Sequence, residues 1–273
     1  MTIIRVSPAW LALREPADAA ARAGQLVTEL RRRLPRGRPL VVHDLGCGTG
    51  AMLRWLAPRL PGPQHWVLHD HDAALLAAAA AAPSLAAADG SPVTSEALHD
   101  DVTRLSIDEL DGAGLITTSS LLDVLTADEL DRVIACCVTA GCPALLTLTV
   151  TGRVELWPPA PPDAAVRLAF NAHQRRTTAD GRRLLGPDAA RVASRTFTAL
   201  GAEVLVWPSP WRLGRTDRAL AVEWFTGWLA AACAHRPELA TQTRRYAQQR
   251  VADAAAGRLR ATVHHRDLLV WPR

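Results

Sequence analysis

Eight consecutive residues, His43-Asp44-Leu45-Gly46-Cys47-Gly48-Thr49-Gly50, follow the apolar run PLVV. Glycine tolerates positive φ and lets the backbone approach a ligand closely. A strand, a glycine turn and then a helix aim backbone N–H groups and the positive end of a helix dipole at a bound group. Asp70 closes the next strand-like segment, HWVLHD, twenty residues beyond Gly50. An acid at that spacing can accept hydrogen bonds from both hydroxyls of a ribose. The combination points to a nucleotide-containing cofactor.

Two cofactor classes fit the turn. Gly46-x-Gly48-x-x-Ala51 satisfies the loose dinucleotide pattern and would suit an NAD(P)-dependent oxidoreductase. DxGxGxG, with Asp44 two residues before Gly46, is the more specific pattern. It resembles motif I of the class I S-adenosylmethionine-dependent methyltransferases, and further landmarks follow in the family's order over residues 40 to 150. The resemblance implies S-adenosylmethionine as cofactor and S-adenosylhomocysteine as product. It implies that Gly46, Cys47, Gly48 and Gly50 line the methionine end, with Asp44 orienting it. Asp70, beside His71, takes the ribose position. Asp101, followed by Val102 in HDDVTRL, takes the position that reaches the adenine amino group, with Asp100 as the alternative. TSSLLD (118–123) falls at motif IV, which puts Ser119 at the cofactor and Asp123 at the lip of the cleft as a candidate catalytic group. Arg14, in WLALREP, matches an N-terminal Arg that meets the cofactor carboxylate in related enzymes. An ion pair with Glu15 or another nearby acid is the alternative for Arg14, and a helix-start acid is the alternative for Asp123. A non-catalytic, cofactor-binding scaffold is the third functional reading.

Methyl transfer is a displacement that depends on positioning, and a general base is needed only if the acceptor arrives protonated. The richest polar cluster for acceptor chemistry is Asn171, His173, Gln174, Arg175 and Arg176, read as part of a loop after the proline-rich WPPAPPD. His173 is the candidate base or hydrogen-bond partner; Asn171, Arg175 and Arg176 are candidates for binding an acidic group on a small molecule. Trp211 in VWPSPW is the candidate for an apolar part of that acceptor. Trp224 and Trp228 are i, i+4 neighbours on one helical face, a spacing that serves a core at least as well as a pocket. His264 and His265 in the closing strand suit packing. His69 and His71 flank Asp70, but HDHD at a strand end is too little for a metal site, and none is expected. No GxSxG surrounds Ser119 and Ser120, so neither is expected to act as a nucleophile.

These residues need a scaffold, and the chain supplies one. The continuous apolar run PLVVHDLG reads as a central parallel strand, and HWVLHD, GLITTSS, PALLTLTV and AEVLVW as further strands, with a weaker one in SPVTSEALHDD. Helical segments alternate with them. LRATVHHRDLLVWP closes the chain as a seventh strand, which the resemblance makes antiparallel and places between strands five and six. The expected fold is α/β: a doubly wound, seven-stranded Rossmann-like sheet, helices on both faces, and helical or loop lid insertions. One domain is expected, with an N-terminal helix at 16–38, a cofactor-binding core at 39–150, lid insertions at 151–186 and 208–257, and the closing strand at 258–273.

Bulk composition narrows the field. All 31 basic residues are Arg, and the net charge is only +4, too little to imply nucleic acid. The densest basic run, RRRLPRGR (31–38), suits a helix C-terminus. No NPPY-type motif or Pro-Cys pair follows strand four, which also argues against a nucleic-acid substrate. Five Cys without a CxxC pair fit a reducing compartment, and MTIIRVSPAW lacks a signal-peptide core, so a cytoplasmic setting is expected. The apolar run AALLAAAAAAPSLAAA is alanine-rich and interrupted by Pro83, so no membrane span is expected. The expected partner is a small-molecule acceptor, acidic or partly apolar, and the 208–257 insertion offers a surface for a homodimer.

Overall fold

The apolar runs become a single mixed sheet in the computed structural model, which describes residues 6–35, 37–81, 84–110 and 112–272. Pro83, Arg36 and the first five residues lie outside the described residues. The strands are β1 Leu40–Leu45, β2 Gln64–Asp70, β3 Val93–His99, β4 Leu115–Ser119, β5 Ala144–Trp157, β6 Glu203–Pro208, β7 Trp211–Leu213 and β8 Arg260–Trp271. Their order is β3-β2-β1-β4-β5-β8-β6, with β7 paired to β8. The closing strand is antiparallel to both β5 and β6 and lies between them, as expected. The short β7 is an addition to the seven strands read from the sequence.

Side chains alternate between the two faces of a strand, and the core divides accordingly. Val42, Leu68, Leu115, Leu145 and Leu269 face helices α2 Gly24–Arg33, α3 Ala51–Leu56 and α4 Ala73–Ala80. Leu45, Ile116, Leu146 and Leu268 face α5 Ala127–Thr139 and α7 Ala189–Ala199. A third core joins α1 Pro8–Ala21, α6 Pro162–Gln174, α8 Arg218–His235, α9 Glu238–Gln242 and α10 Arg244–Ala255 over the ends of β5, β7 and β8. Trp224, Phe225 and Trp228 are buried in it, so the tryptophan stripe is core. Among the described residues no helix is long and apolar enough to cross a membrane.

Three local expectations are corrected. The helix read at 16–38 is two helices, and Pro16 lies inside α1, which starts instead at Pro8 with the Ser7 hydroxyl accepting the Trp10 N–H. The chain breaks at Arg22 and Ala23, whose ψ angles are 136° and 94°, because the Ala23 N–H is donated to buried Asp267 rather than to a helical carbonyl. The stretch read as a polar loop, 164–186, carries α6, whose Val166 and Ala169 are buried against the third core. The 208–257 stretch, where DRALAVEWFTGWLAAACAH and PELATQTRRYAQQRVADAAAG read as two helices, holds three helices and β7.

Asp267 on β8 decides how these segments meet. Its Oδ2 accepts from Ala23 N at 2.8 Å; its Oδ1 accepts from Leu148 N at 2.7 Å and from Ser209 Oγ at 2.5 Å. Leu148 sits at φ 56°, a left-handed conformation that costs a non-glycine residue on the order of 1 kcal/mol. Removing the carboxylate leaves two buried backbone donors and a hydroxyl unmet. Asp267→Ala should therefore lower the free energy of unfolding by more than about 3 kcal/mol, read by urea denaturation. A loss below about 1 kcal/mol would mean that other acceptors replace it.

Candidate functional site

The carboxyl ends of β1, β2 and β4 converge on the glycine turn, the place where open α/β sheets bind ligands. Gly46, Gly48 and Gly50 have φ of 68°, 56° and 80°. A Cβ on Gly48 would stand 3.2 Å from Leu11 Cδ1, so α1 lies directly over the turn. The turn is tied to β2 twice: Cys47 N donates to the His69 carbonyl at 2.9 Å, and Gly48 N donates to Asp70 Oδ2 at 2.8 Å. Asp70 Oδ1 accepts from Asp72 N at 2.9 Å, and His71 Nδ1 lies 3.6 Å from the same oxygen.

Two connected cavities open here. The larger, about 180 Å³, runs from Gly46, Gly48 and Asp70 past His71, Leu75 and Val102 to Ser119, Leu121 and Val124, with Trp10, Leu11 and Arg14 of α1 above it. The smaller, about 60 Å³, continues under α1 between the glycine turn and Arg14, Asp18, Arg22, Asp44, Ser119 and Ser120. Two larger clefts of about 830 and 820 Å³ lie at the opposite end of the sheet, around Arg38 and Pro39 at the start of β1. They lack the glycine turn and the strand-end acids.

The small cavity is lined with buried charge. Arg14 makes a bidentate pair with Asp18, with Nε 2.9 Å from Oδ2 and Nη2 3.1 Å from Oδ1, and its Nη2 also donates to Ser120 Oγ at 2.8 Å. Glu15 pairs instead with Arg54. Arg22 is 5% exposed, packs over the Trp55 ring, and donates from Nη2 to Ser119 Oγ at 3.0 Å. Its Nε and Nη1 are buried and have no hydrogen-bond partner. Burial pulls the Arg22 pKa down, opposed by Asp18, Asp44 and Asp267. Asp44, 1% exposed, accepts from Thr117 Oγ1 at 2.8 Å through Oδ1, while its Oδ2 is buried and unpartnered. Burial pushes the Asp44 carboxyl up to about 7.

Of the residues expected at the cofactor, the structure brings Arg14, Asp44, Gly46, Cys47, Gly48, Asp70, His71, Val102 and Ser119 to these two cavities. Gly50 lies behind the turn as the cap of α3. Asp101 turns its carboxylate back onto Thr103, accepting from its N and Oγ1 at 3.0 and 2.7 Å, while Asp100 is held by His69. Asp123, in a helical turn at Leu122–Val124, is half-buried; burial pushes its carboxyl up to about 6, opposed by the charge of Arg14.

The residues expected at the acceptor lie elsewhere. Asn171, His173, Arg175 and Arg176 belong to α6 or its C-terminal end and line neither cavity. Asn171 Nδ2 donates to the Gly152 carbonyl at 2.8 Å, and Arg175 pairs with Asp188. Arg176 donates to the His173 carbonyl at 3.1 Å. His173 is half-buried, with its pKa lowered first by burial and then by Arg176 and His235. Trp211 is buried beneath Arg14, its Nε1 donating to Asp18 Oδ1 at 2.9 Å, so it supports the site from behind. Asp18, Arg22, Trp10 and Leu11 were missed. The spacing of Arg14, Asp18 and Arg22, four residues apart, is the signal that a polar stripe crosses an otherwise apolar helix face.

No protein-family model matches the chain, and no curated protein matches it in sequence. Solved structures do match its fold. A cyclopropane-fatty-acyl-phospholipid synthase-like protein from Lactobacillus casei is 13% identical over 98% of this chain and 94% of that one, with a TM-score of 0.52. The cyclopropane synthase MmaA2 from Mycobacterium tuberculosis is 13% identical over 97% and 94%, with a TM-score of 0.51. The chain shares the α/β fold of these two proteins, a mixed sheet with helices on both faces and an antiparallel closing strand.

The raised Asp44 carboxyl has a consequence for stability. A carboxyl bound more tightly to its proton in the folded state stabilises that state below the unfolded value near 3.8; the contribution is lost as pH rises towards 7. Asp44→Asn, which keeps an acceptor for Thr117, should match the native protein at pH 4. It should exceed it at pH 8 by about 4 kcal/mol. Equal stability of the two proteins at both pH values, by urea denaturation, would show that Asp44 ionises without penalty.

Proposed function

We propose that this chain is an S-adenosylmethionine-dependent methyltransferase that acts on a small molecule, giving the methylated product and S-adenosylhomocysteine. The observation that carries this reading is a set of buried atoms without partners, Arg22 Nε and Nη1 and Asp44 Oδ2, on two residues that line the small cavity at the glycine turn. Unmet buried polar atoms each cost about 1–3 kcal/mol, so a ligand that satisfies them is strongly favoured. An amino-acid head has the required chemistry, a carboxylate for the guanidinium and an ammonium for the carboxylate. A nicotinamide dinucleotide would bring phosphates to a turn guarded by Asp44 and Asp70 and would leave Asp44 with nothing to pair with.

The residues present fit the amino-acid head and the ribose of the cofactor and offer the base an apolar bed, with Asp100 and Asp101 both engaged away from it. Arg22, with Arg14 and Ser119 beside it, would hold the carboxylate, and Asp44 the ammonium. Asp70, already fixed by Gly48 and Asp72, would receive the ribose hydroxyls, and Leu75, Val102 and Leu121 would flank the base. When bound, the cofactor supplies a methyl group on a sulfonium for in-line displacement by the acceptor. The work of the chain is then positional. Trp10, Leu11 and Val6 cover the cavity and exclude water, and their apolar surface suits a partly apolar acceptor. Asp123, a carboxylate at neutral pH, adjoins Val124 of the cavity wall and is the group we assign to take a proton from an acceptor that arrives protonated.

Calorimetry should show binding of S-adenosylmethionine and S-adenosylhomocysteine and none of NAD(H); the reverse pattern would sink the proposal. Arg22→Met should weaken S-adenosylhomocysteine by about ten- to a hundredfold while sparing adenosine, which lacks the amino-acid head. For Asp123, the native turnover should fall as pH drops below about 6, where the carboxylate is lost. Asp123→Asn should flatten that limb and lower kcat without changing cofactor affinity; an unaltered profile would remove Asp123 from the chemistry.

A further inference from the structure

His43 and His69 each stand one residue before an acid of the cofactor site, Asp44 and Asp70, and Asp100 stands two residues before Val102 of the cavity wall. In β1 and β2 alternation turns their side chains to the face opposite those acids. There they meet. His69 Nδ1 lies 2.7 Å from Asp100 Oδ2, and His69 Nε2 lies 3.0 Å from His43 Nδ1. The rings stack with centroids 5.2 Å apart and planes 27° apart. Both are buried, with His69 0% exposed.

The hydrogen-bond logic restricts the protons. A carboxylate only accepts, so His69 Nδ1 carries a hydrogen. His43 Nε2 is buried with no partner, and a bare ring nitrogen is tolerated there better than an unmet N–H. That makes His43 Nδ1 the donor and His69 Nε2 the acceptor. Both rings then hold their single proton on Nδ1, the reverse of the tautomer free histidine favours. Burial, with His69 second, pulls His43 down to about 4, which keeps it neutral.

The backbone of the same residues holds the site. The His69 carbonyl accepts the Cys47 N–H of the glycine turn at 2.9 Å, and the Asp100 N–H donates to the Asp70 carbonyl at 3.2 Å. We propose that His43, His69 and Asp100 form a hydrogen-bonded wire of positioning residues, buried at the two histidines and half-buried at Asp100. It fixes the spacing of the glycine turn, the end of β2 and the Asp101–Val102 turn, and thereby sets affinity for the adenosine part of the cofactor. This rests on the methyl-donor reading above. None of the three needs to touch the cofactor.

Two measurements test it. Ring ¹⁵N spectra of the ligand-free native protein should show His43 and His69 as Nδ1–H tautomers; Nε2–H on His43 would overturn the wire as drawn. In calorimetry, His69→Leu should weaken S-adenosylhomocysteine and adenosine by about tenfold each, leaving their ratio unchanged. His69→Asn, whose side-chain N–H can replace Nδ1–H towards Asp100, should recover part of that loss, and it serves if His69→Leu does not fold. Native affinity in a folded His69→Leu would overturn the role alone. Failure of the native protein to bind either probe would overturn the methyl-donor reading, and this role with it.

Discussion

A buried carboxylate, Asp267, holds the junction on which the site depends. It takes the Ala23 N–H out of helical register, and this turns the chain between α1 and α2 and leaves Arg22 pointing inward. It takes the Leu148 N–H, and this stabilises the left-handed kink in β5. Ser120, left-handed itself, bonds across to that kink through the Leu148 carbonyl and presents its hydroxyl to Arg14. One acceptor on the closing strand thus sets the aim of both arginines. Burial raises the pKa of Asp267, and only the donors converging on it, with Arg22 nearby, make its charge tolerable.

This arrangement explains why α1 belongs to the site although it precedes the first strand. Its apolar residues Trp10 and Leu13 pack on the third core, while Leu11 lies on Gly48. Its polar stripe is anchored at Asp18, which Arg14 and Trp211 both approach. The helix is fastened to the far half of the sheet and reaches over the near half. The glycine turn therefore has a roof that its own neighbourhood does not supply.

The parts of this design that were readable in the sequence are those with a short physical period. Continuous apolar runs marked the strands, buried at β1, β2 and β4 but half-exposed at β6, and the glycine turn with Asp70 marked the cofactor end. Long-range acceptors were not readable. Nothing around Ala23 announces that its N–H will leave the helix for Asp267, so α1 and α2 read as one helix with Pro16 at its start. α6 read as a loop because its Arg, Gln and Asn residues masked Val166 and Ala169 on the buried side. Asn171 and Trp211 looked available for an acceptor because polarity and aromatic mass are local properties. Their engagement with Gly152 and Asp18 is tertiary. Arg22 was overlooked for the opposite reason: in a chain whose basic residues are all Arg, one more carries little weight until its neighbours are known.

The half-titrated state of Asp44 reaches beyond stability. A carboxyl pushed up to about 7 holds a proton part of the time at neutral pH. A cation placed against its free oxygen would favour the carboxylate and drive that proton into solution. Occupation of the glycine turn would then be an exchange of one positive charge for another rather than a simple gain. Its apparent affinity would rise with pH through this range, and its heat would depend on the buffer that takes up the proton.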